Sequence, residues 1–287
     1  MAASPTVRET LLRAAAALEE ITPSAFREAE LILSHEIGTT RAGLYLAANE
    51  PIGTATAEHI QRVVEARASG EPLQYLLRGT GFFGLDIIVD KGVLVPRPET
   101  EILVDKALEV LKRFSGAPFV LDLCTGSGAI ALALAANDRR VKVLGTDVSR
   151  TALEIANRNI ASLELGGRVS TSQGDLFDAV PDVPGSIDLV VSNPPYIPTG
   201  DLPGLPLDVL REPGKALDGG PDGLMFYRRI AEDASDYLKK GGAVFVEVGD
   251  GQAPDVVRLF ERAAFGDVEV VSDLCGVDRV VGAGFKG

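Results

Sequence analysis

The sequence is poor in cysteine and histidine, and these shortages exclude several classes of site. Its 287 residues include two cysteines, Cys124 and Cys275. Two cysteines are too few for a disulfide framework and fit a reducing, cytoplasmic environment. The two histidines, His35 and His59, fall in helical patterns of the N-terminal region. We therefore expect neither a histidine-based metal site nor a histidine-based catalytic triad.

The chain also lacks long apolar runs and an excess of positive charge. No run of eighteen apolar residues occurs, and the first residues lack the basic flank and apolar segment of a signal peptide. We therefore expect neither a membrane span nor secretion. Lysine and arginine number 28 against 41 acidic residues, which gives a net charge of −13. This charge disfavours a broad nucleic-acid-binding face, so no direct nucleic-acid partner is expected.

The first third of the chain predicts a helical domain followed by a β-hairpin linker. Residues 1–78 show helical patterns with seven arginines, ten glutamates and no lysine, which is typical of a solvated helical bundle. The bundle is either an accessory domain or a docking domain for a macromolecular substrate. Residues 79–98 contain short strand patterns at Leu85–Val89 and Val93–Val95, separated by turn residues. We predict that they form a hairpin linking the bundle to a domain over 99–287.

Strands alternate with helices from residue 119 to 264, which predicts an α/β domain with a mostly parallel, doubly wound sheet. The first strand, Phe119–Leu123, runs into a glycine-rich turn and then a helix, as nucleotide-type cradles do. Asp147 ends the next strand, about twenty residues after the turn, where an acid can accept both hydroxyls of a ribose. Gly126, Gly128 and Ala131 also fit the loop of NAD-binding proteins, so both cofactor types stay open at this point.

Two later strand ends carry further candidate residues. Asp175 follows a strand and could bind an adenine amino group beside Leu176, although an acid that caps a turn is nearly as good an interpretation. A buried strand beginning at Ile187 ends in the tetrapeptide Asn193–Tyr196, whose two prolines hold the backbone extended. The segment Thr199–Pro221 is rich in proline and glycine and predicts a mobile substrate loop.

The residue types of this tetrapeptide suit methyl transfer to a planar amino group. An amide nitrogen is a poor nucleophile because its lone pair is delocalised. The side-chain oxygen of Asn193 and the carbonyl of Pro194 could accept its two N–H groups and fix its plane. The ring of Tyr196 could pack on the planar group. Orientation toward an electrophilic methyl group would then supply most of the catalysis, a term that can reach roughly 7–11 kcal/mol.

Taken together, these motifs resemble the HemK/PrmC family of protein-(glutamine-N5) methyltransferases over almost the whole chain. The resemblance rests on the segments Gly70–Tyr75, Val93–Glu101, Asp122–Gly128, Asn193–Tyr196 and Gly276–Val280. It implies a helical N-terminal domain, a hairpin linker and a class I S-adenosylmethionine-dependent domain with a Rossmann-like seven-stranded sheet. It also implies S-adenosylhomocysteine as the product, and as substrate the glutamine of the Gly-Gly-Gln motif in class I peptide chain release factors.

The resemblance also assigns roles to individual residues. It implies that the cofactor is bound by Asp122, Cys124, Thr125, Gly126, Ser127, Gly128, Asp147, Asp175, Leu176 and Asn193. It implies that the glutamine is bound by Asn193, Pro194, Pro195 and Tyr196, with Arg97 and Glu99 nearby, and that Asn193, Pro194 and Tyr196 are catalytic. Cys124 replaces a commoner glycine and Leu176 replaces a frequent aromatic, which could weaken cofactor affinity.

Three alternatives to release-factor methylation stay open from sequence alone. One is methylation of a ribosomal protein, which the segment Pro96–Glu101 disfavours. A second is methylation of amino groups in nucleic acid, which the acidic composition disfavours. The third is a non-catalytic cofactor-binding module, which the intact Asn193–Tyr196 motif disfavours.

Overall fold

The structure, a computed structural model, describes residues 4–180 and 185–287. The helices are α1 (Val7–Leu18), α2 (Ala25–Ile37), α3 (Arg41–Leu46), α4 (Thr54–Ala68), α5 (Leu73–Leu76), α6 (Thr100–Leu111), α7 (Ala129–Asn137), α8 (Arg150–Ser162), α9 (Leu207–Leu210), α10 (Met225–Tyr237) and α11 (Ala253–Arg262). The strands are β1 (Thr80–Phe82), β2 (Leu85–Ile87), β3 (Phe119–Leu123), β4 (Lys142–Asp147), β5 (Val169–Gln173), β6 (Ile187–Ser192), β7 (Leu238–Glu247), β8 (Gly266–Ser272) and β9 (Asp278–Gly284). Within these residues, every helix is too short or too polar to cross a membrane.

The chain folds into two compact units, of which the first is helical. It consists of the chain up to Arg78 together with Pro206–Arg211. Helices α1, α2 and α4 bury apolar side chains at helical spacing, among them Leu18, Ile32 and Ile60. A capping box at Thr6 begins α1, and Gly38 ends α2 in the left-handed conformation.

A buried arginine ties the second segment of this unit to its helices. The guanidinium of Arg67, on α4, donates to Glu28 at 2.7 Å and to Asp208 of α9 at 3.3 Å. The sequence analysis treated 199–221 as one irregular loop of the methyltransferase domain. The structure instead forms the short helix α9 within this stretch, and Pro206–Arg211 alone belongs to the helical unit.

The second unit, Gly79–Leu205 with Glu212–Gly287, is built on the predicted α/β sheet. Its seven strands lie in the order β5-β4-β3-β6-β7-β9-β8. Strands β3 to β7 are parallel, whereas β9 runs antiparallel to β7 and to β8. All residues of β6 are buried, as expected for a central strand covered on both faces. The strand order reverses between β3 and β6, so ligands should bind at their carboxyl ends.

The segment before this sheet forms a hairpin, but only part of its predicted strand content is correct. Strands β1 and β2 pair antiparallel around Phe83 and Gly84. The predicted strand at Val93–Val95 is wrong, because Val93 lies in a bend and no strand of the described residues includes these three positions. The side chains of Val93 and Val95 are still buried, and the backbone N–H of Val95 donates to the carboxylate of Glu212 at 3.0 Å. A side chain therefore satisfies this backbone where a strand would have done so.

Candidate active site

A pocket of about 190 Å³ lies at the carboxyl ends of β3, β4, β5 and β6, where the parallel sheet predicts a ligand site. It brings together seven of the predicted site residues, which lie at or just after the ends of four different strands. These are Cys124, Gly126, Asp147, Asp175, Leu176, Asn193 and Pro195. The predicted residues Asp122, Thr125, Ser127, Gly128, Pro194 and Tyr196 are not among those that line it.

The loop after β3 presents its backbone to the pocket because left-handed residues turn it sharply. Cys124, Gly126 and Gly128 have φ of 59°, 55° and 80°. Left-handed backbone costs a residue with a Cβ roughly 1–2 kcal/mol, so Cys124 is strained where glycine would not be. Burial raises the pKa of the Cys124 thiol well above its usual range, so the thiol stays protonated.

Asp122 supports this loop from inside the protein. Its side chain is fully buried, and Oδ2 accepts from the hydroxyl of Thr125 at 2.6 Å and from the backbone N–H of Ala131 at 3.2 Å. Burial raises the pKa of Asp122 to about 7, although these two hydrogen bonds oppose the shift. Asp122 therefore stabilises the conformation of the loop, and it can affect ligand binding only indirectly, through that conformation.

Asp147, the last residue of β4, does reach the pocket. Its Oδ2 accepts from the backbone N–H of Gly126 at 3.0 Å, and its Oδ1 accepts from that of Ser149 at 2.8 Å. Burial raises the pKa of Asp147, and the same two hydrogen bonds hold the shift back. The two bonds fix the carboxylate at the mouth of the glycine-rich loop, leaving further lone pairs for a ligand.

The adenine end predicted from Asp175 and Leu176 has two partners that sequence reasoning missed. Arg229, on α10, donates to both carboxylate oxygens of Asp175 at 3.0 Å. Leu176 is buried and left-handed, with φ of 52°. Phe226 lines the same pocket and supplies an aromatic ring. The pocket thus contains an aromatic side chain although Leu176 occupies the position where one was expected.

The tetrapeptide after β6 contains one buried polar atom that has no hydrogen-bond partner among the described residues. The Nδ2 group of Asn193 donates to the hydroxyl of Thr100 at 3.1 Å. Its Oδ1 is buried and accepts no hydrogen bond from any described residue. A buried acceptor without a partner costs about 1–3 kcal/mol, which is tolerable where a ligand will supply the donor. Pro194 and Pro195 are buried beside it.

Tyr196 is held from two sides at the end of the same tetrapeptide. Its backbone carbonyl accepts from the side chain of Gln252 at 2.9 Å, and its hydroxyl faces Oε1 of Glu247 at 3.5 Å. Burial raises the pKa of Tyr196 above its usual range, so the hydroxyl stays protonated. Burial also raises the pKa of Glu247 to about 7.

Arg97 and Glu99 lie outside the pocket lining, and the structure gives them different surroundings. Arg97 forms an ion pair with the buried carboxylate of Glu212, the group that also accepts from Val95. Glu99 is exposed, and its charge acts on the pKa values of Tyr196 and Glu247. Their predicted contact with the substrate stays a prediction.

A buried asparagine, also missed from sequence, connects the hairpin segment to the cofactor loop. Asn159, on α8, donates to the carbonyls of Ser127 and Ile88 at 2.9 and 3.0 Å and accepts from the N–H of Ile88 at 2.7 Å. Its side chain is fully buried. An asparagine on the apolar face of an amphipathic helix was the one signal that could have identified it.

Comparison with known proteins decides the family. A model of the PrmC N-terminal domain matches residues 9–77, and a model of the methyltransferase small domain matches residues 100–203. The release factor glutamine methyltransferase of Geobacter sulfurreducens is 44% identical over 256 residues, which cover 89% of this chain and 88% of that protein. This chain belongs to the release factor glutamine methyltransferases.

Further comparisons agree with this family. The release factor glutamine methyltransferase of Thermodesulfovibrio yellowstonii is 40% identical over 89% of this chain and 91% of its own length. A solved methyltransferase structure from Pyrococcus furiosus matches with a TM-score of 0.51 and 26% identity, over 71% of this chain and 90% of that one. The methyltransferase fold implies S-adenosylmethionine rather than NAD as the cofactor, and membership of an enzyme family sets aside the non-catalytic alternative.

Proposed function

We propose that this protein transfers a methyl group from S-adenosylmethionine to the side-chain amide nitrogen of a glutamine in a class I peptide chain release factor, within the Gly-Gly-Gln motif. The observation that carries the proposal is that Oδ1 of Asn193 accepts no hydrogen bond from the part of the chain that the structure describes. This buried acceptor lies in the same pocket as Asp147 and the glycine-rich loop. A planar NH2 group is the donor that such an acceptor suits.

The tetrapeptide would bind the amide by its two N–H groups. Oδ1 of Asn193 would accept one, and the carbonyl of Pro194 would accept the other, since proline lacks an N–H but keeps its carbonyl. The ring of Tyr196 would restrict the amide plane, because Gln252 and Glu247 already fix both ends of this residue. When bound, S-adenosylmethionine supplies an electrophilic methyl group, and the protein supplies the orientation of the nitrogen toward it.

The residues of the pocket fit this cofactor by their chemistry. Asp147 offers a carboxylate to the two hydroxyls of a ribose, and the adjacent loop offers backbone groups at Cys124 and Gly126. Leu176 and Phe226 offer apolar and aromatic walls to a purine. Asp175 can still accept from an exocyclic amino group, since each oxygen bonded to Arg229 retains a lone pair.

The helical unit is proposed to dock the release factor. A single glutamine loop fills a small pocket, whereas stable protein interfaces bury about 1,200–2,000 Å² in total. Large apolar side chains are exposed on this unit, among them Leu12, Phe26 and Leu46, the last of which is 90% exposed. Exposed apolar side chains of this size commonly mark interaction surfaces when they occur together.

Substitution at Leu46 tests docking without disturbing the core. Leu46→Ser should raise the KM for an intact release factor more than the KM for a short Gly-Gly-Gln peptide. The matched control is Leu274→Ser, because Leu274 is also fully exposed but belongs to the other unit. Equal effects of Leu46→Ser on both substrates would argue against docking by this surface.

A methyl-transfer assay with labelled S-adenosylmethionine tests the proposed reaction itself. Purified class I release factors, ribosomes, DNA and RNA are offered in parallel, and the label is followed into each. We expect label in the release factors. Label in ribosomal protein or nucleic acid, with none in release factor, would reject the substrate assignment.

A further inference from the structure

A buried chain of polar side chains lies behind Asn193. Thr100, the first residue of α6, is 3% exposed, and its hydroxyl accepts from Nδ2 of Asn193 at 3.1 Å. Glu247, the last residue of β7, is 2% exposed, and its Oε2 has no hydrogen bond from the described residues. The Thr100 hydroxyl lies close enough to lower the pKa of this carboxylate, as a hydrogen-bond donor does. The three residues come from distant parts of the sequence, so the fold alone brings them together.

The order of donors along this chain determines which way the Asn193 carboxamide faces. A threonine hydroxyl has one proton to donate and lone pairs to accept with, so by itself it can bond either end of a carboxamide. An ionised carboxylate can only accept. A Thr100 hydroxyl that gives its proton to Oε2 of Glu247, unpartnered among the described residues, turns its lone pairs to Asn193. Only the NH2 end of Asn193 can bond those lone pairs, which leaves Oδ1 facing the pocket.

The opposite orientation would be inactive for an amide substrate. If Asn193 rotated by half a turn, its NH2 group would face the substrate NH2, and two donors cannot bond each other. The unpartnered state of Oδ1 among the described residues is thus the result of the chain behind it. Resting on the proposed function, we infer that Thr100 and Glu247 are positioning residues that hold Oδ1 of Asn193 toward the substrate amide.

The surroundings of Glu247 make the orientation of the Asn193 carboxamide sensitive to pH. Burial and the charge of Glu99 together raise the pKa of Glu247 to about 7, against the opposing effects of Thr100, Arg279 and Tyr196. The hydroxyl of Tyr227 donates to the backbone carbonyl of Glu247 rather than to its carboxylate.

Protonation of Glu247 would change this carboxyl from a group that only accepts hydrogen bonds into one that can also donate. Once protonated, the carboxyl can itself donate, so the threonine hydroxyl becomes free to donate to Asn193 and let it rotate. Turnover should therefore rise with pH through the range in which this carboxyl ionises.

Three substitutions separate positioning from packing. Thr100→Val keeps the shape and removes the hydroxyl, Thr100→Ser keeps the hydroxyl, and Glu247→Gln can donate as well as accept. The control is Thr171→Val, because Thr171 also bonds an asparagine, Asn157 at 3.0 Å, on the same unit but away from the pocket lining. For each variant we would measure kcat, KM, the Kd of S-adenosylmethionine by calorimetry, the melting temperature and the pH dependence of kcat.

Loss of the positioning chain should reduce turnover and leave cofactor binding intact. By analogy with the loss of one positioned group in other enzymes, Thr100→Val should lower kcat by about 10²-fold, with the Kd within about twofold of wild type. Thr100→Ser should restore most of the turnover. Glu247→Gln should lower kcat and also remove the acidic limb of its pH profile, a change that a packing defect would not produce.

Two results would overturn the inference. One is a kcat for Thr100→Val equal to that of Thr171→Val. The other is an acidic limb that persists unchanged in Glu247→Gln. Because variants are compared on whichever substrate the wild type methylates, an error in the release-factor assignment would appear separately, as label in another substrate. Methylation of no substrate by the wild type would overturn both proposals.

Discussion

Asp147 offers the sharpest test of how the pocket binds its cofactor. The substitution Asp147→Ala removes the carboxylate that accepts from the backbone N–H groups of Gly126 and Ser149 and that would accept from the ribose. A hydrogen bond to a charged group is worth about 1.5–3 kcal/mol. Two such bonds lost from the ribose would cost about 3–6 kcal/mol.

We expect the lower end of that range, because the carboxylate already shares its charge between two backbone groups. A loss of about 3 kcal/mol corresponds to a Kd for S-adenosylmethionine weakened by about 10²-fold. Asp147→Asn keeps the shape and one acceptor but loses the charge, so its effect should be intermediate. The same order should hold for S-adenosylhomocysteine, since both molecules carry the ribose.

Calorimetric titration of wild type and variants measures this directly. Asp250→Ala is the control, because Asp250 is exposed and does not line the pocket. A melting curve for each variant separates a loss of cofactor affinity from unfolding of the glycine-rich loop that Asp147 supports. If Asp147→Ala changed the Kd of S-adenosylmethionine by less than about threefold, the ribose contact would be refuted. If NAD bound as tightly as S-adenosylmethionine, the assignment of the pocket to S-adenosylmethionine would be refuted.

Three further predictions concern the substrate site, the buried acid and a close backbone approach. Asn193→Ala should lower methyl transfer by about 10²-fold or more in a steady-state assay, with cofactor affinity little changed, and near wild-type turnover would contradict its role. Asp122 has a folded-state pKa of about 7, above its ordinary value of 3.8, so its ionisation should reduce stability as pH rises from about 4 to 7. Asp122→Asn should remove that slope from the pH dependence of unfolding in denaturant, and an unchanged slope would refute the raised pKa of Asp122. Gly219→Ala should destabilise the protein by about 1–3 kcal/mol, because its Cβ would lie 2.7 Å from the Cα of Tyr196, whereas Gly200→Ala, with open space around it, should melt like wild type.

The sequence predicted the site best where a polar residue directly ends or follows an apolar strand. Asp147 and Asn193 follow apolar strands, and parallel strands bring their carboxyl ends to one edge of a sheet. The residues that line the pocket are therefore far apart in the chain, but each lies at or just after the carboxyl end of a strand. Asp122 also lies near the end of an apolar strand, but it does not line the pocket. Its side chain is fully buried, and its carboxylate accepts from the hydroxyl of Thr125 in the loop.

Sequence reasoning could not find the side chains that support the site from behind. Thr100, Asn159 and Arg229 lie on helices, and each acts on a segment at least 54 residues away. Their partners are fixed by how helices pack on the sheet, which local patterns do not encode. The strand wrongly predicted at Val93–Val95 has the same origin, since a distant carboxylate, Glu212, accepts from the backbone there.

Tandem mass spectrometry of a class I release factor, after incubation with this protein and S-adenosylmethionine, shows where the methyl group is placed. We predict one added methyl group on the side-chain amide of the glutamine in the Gly-Gly-Gln motif, formed about 10²-fold more slowly or worse when Asn193→Ala replaces the wild type. A release factor whose glutamine is changed to glutamate should stay unmodified, because a carboxylate offers no N–H to Oδ1 of Asn193. A methyl group on another residue, or equal methylation by the Asn193 variant, would contradict the account.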